Sequence, residues 1–226
     1  MPEKGCPNSA GYCYKLETIL TFKYFVKLES VVPYHTCHHR MKTGDVIVFS
    51  TDDLPSTVVK VATRSEYVHT AIVLFTHQEQ TSAGSVVIAE SHVDANRPSL
   101  GTGEKIMGAQ HQWLEHRLKA KGKVWWLPLK VPLVNDQRLR LQHWLQEIEA
   151  QQVPYDFGQV AGAALDMGDT MGLENTPDDK ALFCSELVTR ALQIAGVVES
   201  HINAAEQVPA DIIQFPCFQP PVLIKS

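Results

Sequence analysis

Short apolar runs separated by polar turn residues dominate the chain from residue 42 to residue 130 and predict β-strands. Runs of four to eight apolar residues bounded by Gly, Pro, Asn or Asp are typical of buried strands. The first run follows the turn signal Lys42-Thr43-Gly44-Asp45. The predicted strands are 46–49, 68–75, 85–91 and 124–129.

Two later segments repeat apolar residues at one-turn spacing and predict amphipathic helices. The first runs from Asn135 or Asp136, either of which can cap a helix, through Glu149. The second starts at Ser185 and stops before Gly196, a typical C-terminal residue. The apolar faces are Leu141, Trp144, Leu145 and Ile148 in the first helix, and Leu187, Val188, Ala191, Leu192 and Ala195 in the second.

Strands followed by helices predict an α+β fold, an antiparallel sheet with segregated helices. Residues 1–40 carry scattered aromatic residues and cysteines without a clear period, and we expect them to form an N-terminal extension of unclear role. Residues 41–226 are the expected main domain. The closing segment contains Pro209, Pro216, Pro220 and Pro221 and is predicted to run over the surface as an extended tail.

Composition and charge narrow the class of protein. The 226 residues are 44% hydrophobic and 20% charged, as in soluble globular proteins, and the formal charge of -5 provides no basic surface for nucleic acid. No apolar run is long enough to span a bilayer, and the N-terminus lacks the layout of a signal peptide. Five cysteines, an odd number, favour reduced thiols in the cytoplasm. The spacing of Cys6, Cys13 and Cys37-His38-His39 fits no common zinc pattern, so no metal is expected.

Cys184 is placed where the second predicted helix begins, in Phe183-Cys184-Ser185-Glu186. The unpaired backbone N–H groups and the dipole at a helix N-terminus favour an anion, and a thiolate is such an anion. Two interpretations are open: a nucleophile, which needs a base, or a small buried hydrophobe.

His69 and Glu90 are the candidate base and its orienting acid. If the strands around the 76–84 loop form a hairpin in which Phe75 pairs with Gly84, then His69 pairs with Glu90. Directly opposed residues share a face, so the carboxylate could accept the imidazole N–H. A polar pair at a sheet edge is the alternative interpretation.

The other histidines have less support. His92 is the nearest rival of His69, but it is expected in a loop. Five histidines in polar or helical stretches are expected to be solvated: His77, His111, His116, His143 and His201. Three more belong to the N-terminal extension: His35, His38 and His39.

Five short motifs in order resemble the circularly permuted papain-like cysteine hydrolases, in the YiiX-like branch of the NlpC superfamily and more distantly the lecithin retinol acyltransferase-like proteins. The motifs are Gly44-Asp45-Val46-Ile47-Val48-Phe49, His69-Thr70-Ala71-Ile72-Val73, Ala89-Glu90, Pro154-Tyr155-Asp156 and Phe183-Cys184-Ser185-Glu186-Leu187-Val188. The likeness covers residues 42–216, and the order His, Glu, Cys marks the permutation. It implies a permuted papain-like fold, in which an antiparallel sheet or partial barrel packs against helices and the nucleophile lies at a helix N-terminus.

The resemblance also implies residue roles: Cys184 as nucleophile, His69 as base, Glu90 as orienting acid and Tyr155 as a donor to the oxyanion. The implied function is a cysteine hydrolase that cleaves the amide of a peptide or an acyl-amine through a thioester, without a cofactor. Two alternatives are a lipid acyltransferase or thioesterase on the same fold, and a catalytically idle binding module. A lipid-like substrate needs an apolar groove, which Trp125, Trp126, Phe157 and the run 161–164 could line, although core packing explains them equally well. The oligomeric state is left open.

Overall fold

The computed structural model describes residues 30–51, 65–76, 86–156 and 182–226. Six strands in these ranges form one open antiparallel sheet. They are β1 Val46–Ser50, β2 His69–Phe75, β3 Val87–His92, β4 Gly108–Trp113, β5 Lys123–Leu127 and β6 Val222–Lys225. Their spatial order is β4-β3-β2-β1-β5-β6, which places β1 and β2 in the middle of the sheet.

Two helices of three or more turns and several shorter ones accompany the sheet. The α-helices are α1 Tyr34–Cys37, α2 Leu114–Arg117, α3 Asn135–Ala150, α4 Cys184–Ile194 and α5 Pro209–Gln214, and the 3₁₀ helices are His38–Arg40 and Ala204–Glu206. Val134 precedes the first residue of α3, and its N–H donates to the Gln137 side chain. The prediction that Asn135 or Asp136 caps this helix is therefore wrong.

The apolar stripes of α3 and α4 pack on one face of the sheet. Leu145 of α3 and Leu187 of α4 are fully buried in one cluster with Val48 and Ile72 of the central strands. This packing follows from the one-turn spacing of apolar residues in both helices, which leaves each with one face to bury. The sheet and the two long helices therefore confirm the predicted α+β class.

The opposite face of the sheet carries a second apolar cluster, which includes residues before position 41. Cys37 and Met41 are buried there against Ile47 and Phe49. Val31–Ser226 forms one compact unit. The predicted boundary between residues 40 and 41 stays a prediction, and residues 1–29 of the expected extension lie outside the described residues.

Strands β4 and β6 are not among the strands predicted from the sequence. β4 contains Gln110, His111 and Gln112, which are buried although they are polar, so the strand shows no apolar alternation. β6 follows Pro220 and Pro221 and pairs with β5, with Ile224 almost fully buried. The expectation of an extended surface tail is therefore wrong, because Pro209–Gln214 forms α5 and the apolar side chains after the last prolines complete the sheet. Among the described helices, none has the length and hydropathy to cross a membrane.

Candidate functional site

Cys184 is the first residue of α4, as the sequence predicts, and the chain before it is held at Leu182. The Ser91 hydroxyl donates to the Leu182 carbonyl at 2.6 Å, and the Leu182 N–H donates to the Pro154 carbonyl at 3.0 Å. Tyr155 forms an isolated bridge with Leu182. These contacts bring the start of α4 to the end of β3 and to the Pro154-Tyr155 turn. Cys184 itself is 1% exposed.

The far end of α4 also matches its predicted stop. Gly196 has φ of +71°, in the left-handed region that favours glycine after a helix. Its N–H donates to the carbonyl of Gln193. The predicted apolar stripe of this helix is buried throughout. Helix packing thus fixes the direction in which the first turn points its N–H groups.

His69 forms a connected chain of side chains with Cys184 and Glu90. The His69 Nε2 lies 2.8 Å from the Glu90 Oε2, and the interaction with Cys184 is the largest of the causes that raise the pKa of the ring. Because Nε2 faces the carboxylate, Nδ1 is the ring nitrogen left for the thiol. His69 is the first residue of β2 and Glu90 lies within β3, so neighbouring strands position both.

The strand pairing that brings His69 to Glu90 differs from the predicted pairing. Ile72 pairs with Ala89 and Val73 with Ile88, and this register continued to the strand end sets His69 opposite His92. The predicted direct opposition of His69 and Glu90 is therefore wrong by two residues. The strand register also shifts between Val73 and Phe75, where the β2–β3 ladder is irregular. A shift of two preserves the face, so Glu90 reaches the imidazole diagonally.

The surroundings of His69 favour its protonated form at neutral pH. Burial lowers the pKa of His69, but the hydrogen bonds with Cys184 and Glu90 outweigh burial and raise the pKa to about 9. An imidazolium next to a cysteine stabilises a thiolate. The arrangement therefore places a protonated imidazole beside the thiol at the start of a helix.

Glu90 is fully buried and remains ionised because cations surround it. Burial raises the pKa of this carboxyl, but the Arg117 charge and the His69 hydrogen bond bring the pKa far below its usual range. Arg117 Nε lies 2.5 Å from Glu90 Oε1, and Arg117 Nη2 contacts the same oxygen. Arg117 was not singled out from the sequence because it lies on a four-residue helix without an apolar period.

His92 lies next to His69 without replacing it. The two rings meet edge to face with centroids 4.8 Å apart. His92 Nδ1 accepts the backbone N–H of Asp94 at 2.8 Å, so this ring is neutral with its proton on Nε2. Burial and the nearby His69 charge lower the pKa of His92 to about 3. The sequence prediction of a loop position is wrong, because His92 is the last residue of β3.

Tyr155 lies close enough to Cys184 for the two to interact electrostatically. Burial, followed by the charge of Cys184, raises the pKa of Tyr155 well above its usual range, so the phenol keeps its proton and stays a donor. Its ring packs edge to face on Phe183, the residue before Cys184, at 6.0 Å. The structure thus gathers all four predicted site residues in one place.

A second cluster of buried polar groups lies on the helix-covered face. His111 Nδ1 lies 2.7 Å from Glu149 Oε2, and His111 Nε2 lies 3.2 Å from the Leu145 carbonyl. Glu149 Oε1 also accepts from the Ser99 hydroxyl and from the Gly101 N–H. The expectation that His111 is solvated is therefore wrong, since this histidine is 4% exposed and fixes β4 to α3.

The remaining predicted groups have mixed outcomes. His143 and His201 are exposed as expected, while His77 lies outside the described residues. Trp125 and Trp126 are buried in the two cores, which favours packing over a groove, and residues 157–181 are not among those described. Cys37 is buried, whereas Cys6 and Cys13 also lie outside the described ranges. Within the described ranges, no group of three or more His, Cys, Asp or Glu residues could hold a metal ion.

Comparisons with known proteins give a distant structural neighbour but no family. No protein-family model and no curated protein matches the chain. Among solved structures, the chain is similar to the crystal structure of the metalloprotein YiiX from Escherichia coli O157:H7, DUF1105, with 18% identity over 80% of this chain and 88% of that chain and a TM-score of 0.44.

Proposed function

We propose that the chain is a cysteine amidohydrolase of the permuted papain-like type, acting on the amide of a peptide or an acyl-amine. The observation that supports it most is the chain of contacts from Cys184 through His69 to Glu90, with Nδ1 left for the thiol and Nε2 bound to a carboxylate. A nucleophile, a base and a group that orients the base are the parts that acyl transfer needs.

The proposed reaction begins when the Cys184 thiolate attacks the carbonyl carbon of the amide. A C–S bond forms, and the electron pair of the C=O bond moves onto oxygen, where the Tyr155 hydroxyl and the backbone N–H of Cys184 can donate hydrogen bonds. Collapse of this intermediate breaks the C–N bond, and the His69 imidazolium gives its Nδ1 proton to the departing amine.

Hydrolysis of the thioester completes the cycle. Neutral His69 takes a proton at Nδ1 from a water molecule, and the resulting hydroxide attacks the carbonyl carbon. The C–S bond then breaks and the acid product leaves. The thiolate–imidazolium pair is restored, and the protons balance without a metal or an organic cofactor.

Competition among the cysteines tests whether Cys184 is activated. Cys217 is half-buried, whereas Cys184 is 1% exposed, so exposure alone would make Cys217 react first. Burial raises the pKa of Cys217 to about 11, which keeps it a thiol at neutral pH. We expect iodoacetamide at pH 7 to alkylate Cys184 at least ten times faster than Cys217, as measured by peptide mass spectrometry.

Two variants separate activation from simple access to the thiol. His69→Ala should remove the rate advantage of Cys184, and His143→Ala, at an exposed histidine on α3, should leave it unchanged. The proposal fails if Cys184 reacts no faster than Cys217, or if His69→Ala leaves its rate unchanged. Incubation with a mixed pool of peptides and acyl-amines should then yield an acyl adduct on Cys184 that Cys184→Ala lacks.

A further inference from the structure

The Glu90 carboxylate has a separate partner on each oxygen. Oε2 lies 2.8 Å from His69 Nε2, and Oε1 accepts from Arg117 through Nε at 2.5 Å and through Nη2. Glu90 is fully buried, and both side chains around it are largely shielded from water, since Arg117 is 14% exposed and His69 is 13% exposed. Two N–H bonds to one carboxylate oxygen hold it firmly while the other oxygen stays available to His69.

Arg117 is fixed in this position by its own neighbours. It ends α2, and Leu114 at the start of that helix is fully buried and donates its N–H to the Val86 carbonyl at 2.9 Å. Arg117 Nη1 also lies 3.5 Å from Asp94 Oδ2. The guanidinium is therefore placed by the short helix between β4 and β5 and by the turn after β3.

A buried carboxylate needs a permanent counter-charge if it is to stay ionised. His69 supplies a positive charge only while it is protonated, and in the proposed reaction it loses this charge when the amine departs. Arg117 keeps its charge throughout, because a guanidinium does not deprotonate in proteins.

The ionisation of Glu90 decides which His69 nitrogen carries a proton. With a carboxylate at Oε2, the shared proton stays on Nε2 and Nδ1 can accept a proton from the thiol or from water. If that proton moved to Oε2, the neutral ring would carry its proton on Nδ1, and Nδ1 could no longer act as a base. The group bound at Glu90 Oε1, on the other side of the carboxylate, therefore controls which tautomer of His69 is present.

We propose that Arg117 is a positioning residue that keeps Glu90 ionised throughout the cycle and thereby holds the shared proton on His69 Nε2. This inference rests on the proposed function for its catalytic meaning, whereas the location of the proton can be measured without any substrate. It also predicts that the charge of Arg117 matters more than its exact shape.

The test compares Arg117→Met, Arg117→Lys and the control Arg97→Met, at an exposed arginine on the loop between β3 and β4. The first readout is the nitrogen-15 NMR signal of the His69 ring, assigned by its loss in His69→Ala, from pH 6 to pH 11. We expect Nε2 to be protonated at every pH in the wild-type protein and in Arg97→Met. In Arg117→Met the Nε2 signal should move toward the unprotonated value as the proton passes to Glu90. Arg117→Lys should stay near the wild type below about pH 9, where a lysine keeps its charge.

The second readout is turnover of p-nitrophenyl acetate, in which the burst reports acylation of Cys184 and the steady rate reports deacylation. At pH 7 we expect Arg117→Met to deacylate about tenfold more slowly, with recovery at higher pH, and Arg117→Lys to stay within about threefold of the wild type. The proposal is overturned if wild-type Nε2 is unprotonated at any pH in the range, a result that needs no Arg117 variant to fold. It also fails if Arg117→Met, with wild-type circular dichroism, leaves both Nε2 and deacylation unchanged, or if Arg117→Lys is as defective as Arg117→Met. A wild-type protein without a burst would count against the proposed function, while the NMR result would still decide where the proton lies.

Discussion

Glu149 offers the sharpest stability prediction, because it is a buried acid on the same helix as an exposed one. Glu149 is 3% exposed and binds His111, Ser99 and Gly101, whereas Glu147 is half-exposed and lies 3.8 Å from the exposed His143. Removing one partner of a buried ion pair costs about 3–5 kcal/mol, while an exposed pair contributes about 0–1 kcal/mol. We expect Glu149→Ala to lower the free energy of unfolding by about 4 kcal/mol, and Glu147→Ala by less than about 1 kcal/mol.

Glu149→Gln should be far milder, because the hydrogen bonds can be rebuilt without charge. In the wild-type protein the two ring nitrogens of His111 face the Glu149 carboxylate and the Leu145 carbonyl. A glutamine amide can donate to Nδ1 of a neutral His111, whose Nε2 proton still reaches the Leu145 carbonyl. Its carbonyl oxygen can accept from Ser99 and Gly101. We therefore expect Glu149→Gln to cost about 1 kcal/mol at pH 7.

The pH dependence gives the same prediction a second test. Burial raises the pKa of Glu149, but the hydrogen bond and charge of His111 outweigh burial and lower the pKa below its unfolded value. A lowered pKa contributes stability that is complete above the unfolded value near ~4.3 and is lost as pH falls through the folded value. Urea unfolding followed by tryptophan fluorescence from pH 7 to pH 3 should show this loss in the wild type and in Glu147→Gln, and a smaller loss in Glu149→Gln. Equal costs for the two alanine variants, or an unchanged acid slope in Glu149→Gln, would refute the reasoning.

Three further outcomes test the site and its support. Because the pKa of His69 is raised to about 9, hydrolysis that depends on its protonated form should decline as pH rises through about 9, and a rate that continues to climb to pH 10.5 would contradict this. Tyr155→Phe should lower kcat by about a hundredfold, because one hydrogen-bond donor to the oxyanion is lost, while the rate at which iodoacetamide alkylates Cys184 should stay within about twofold of the wild type. Equal losses in both assays would assign Tyr155 a structural role instead. Gly101→Ala should cost about 1–3 kcal/mol in urea unfolding, because a Cβ there would lie 1.9 Å from Glu149 Oε2, and an unchanged midpoint would show that the carboxylate can move.

The parts of the fold that follow from local patterns were predictable, and β4 shows what was not. The apolar stripe of α4 and the continuous apolar runs of β1 and β2 are local signals, so sequence alone located them. β4 carries Gln110, His111 and Gln112, whose burial depends on partners distant in sequence, such as Glu149 for His111. A polar residue that is buried because of a partner elsewhere in the chain has no local signal. Arg117 was missed for the same reason, since its partner Glu90 is 27 residues away.

The contact between His69 and Glu90 was predicted from a pairing that is wrong by two residues, and the reason it survived is geometric. Side chains alternate between the two faces of a strand, so an error of two leaves a residue on its face, whereas an error of one would have put Glu90 on the other side of the sheet. Long side chains reach diagonal neighbours as well as direct ones, which accommodates the shift. The site therefore depends on which face of the strand each side chain occupies more than on the exact strand register. His92, not Glu90, lies directly opposite His69, and its neutral ring adds no charge next to the imidazolium.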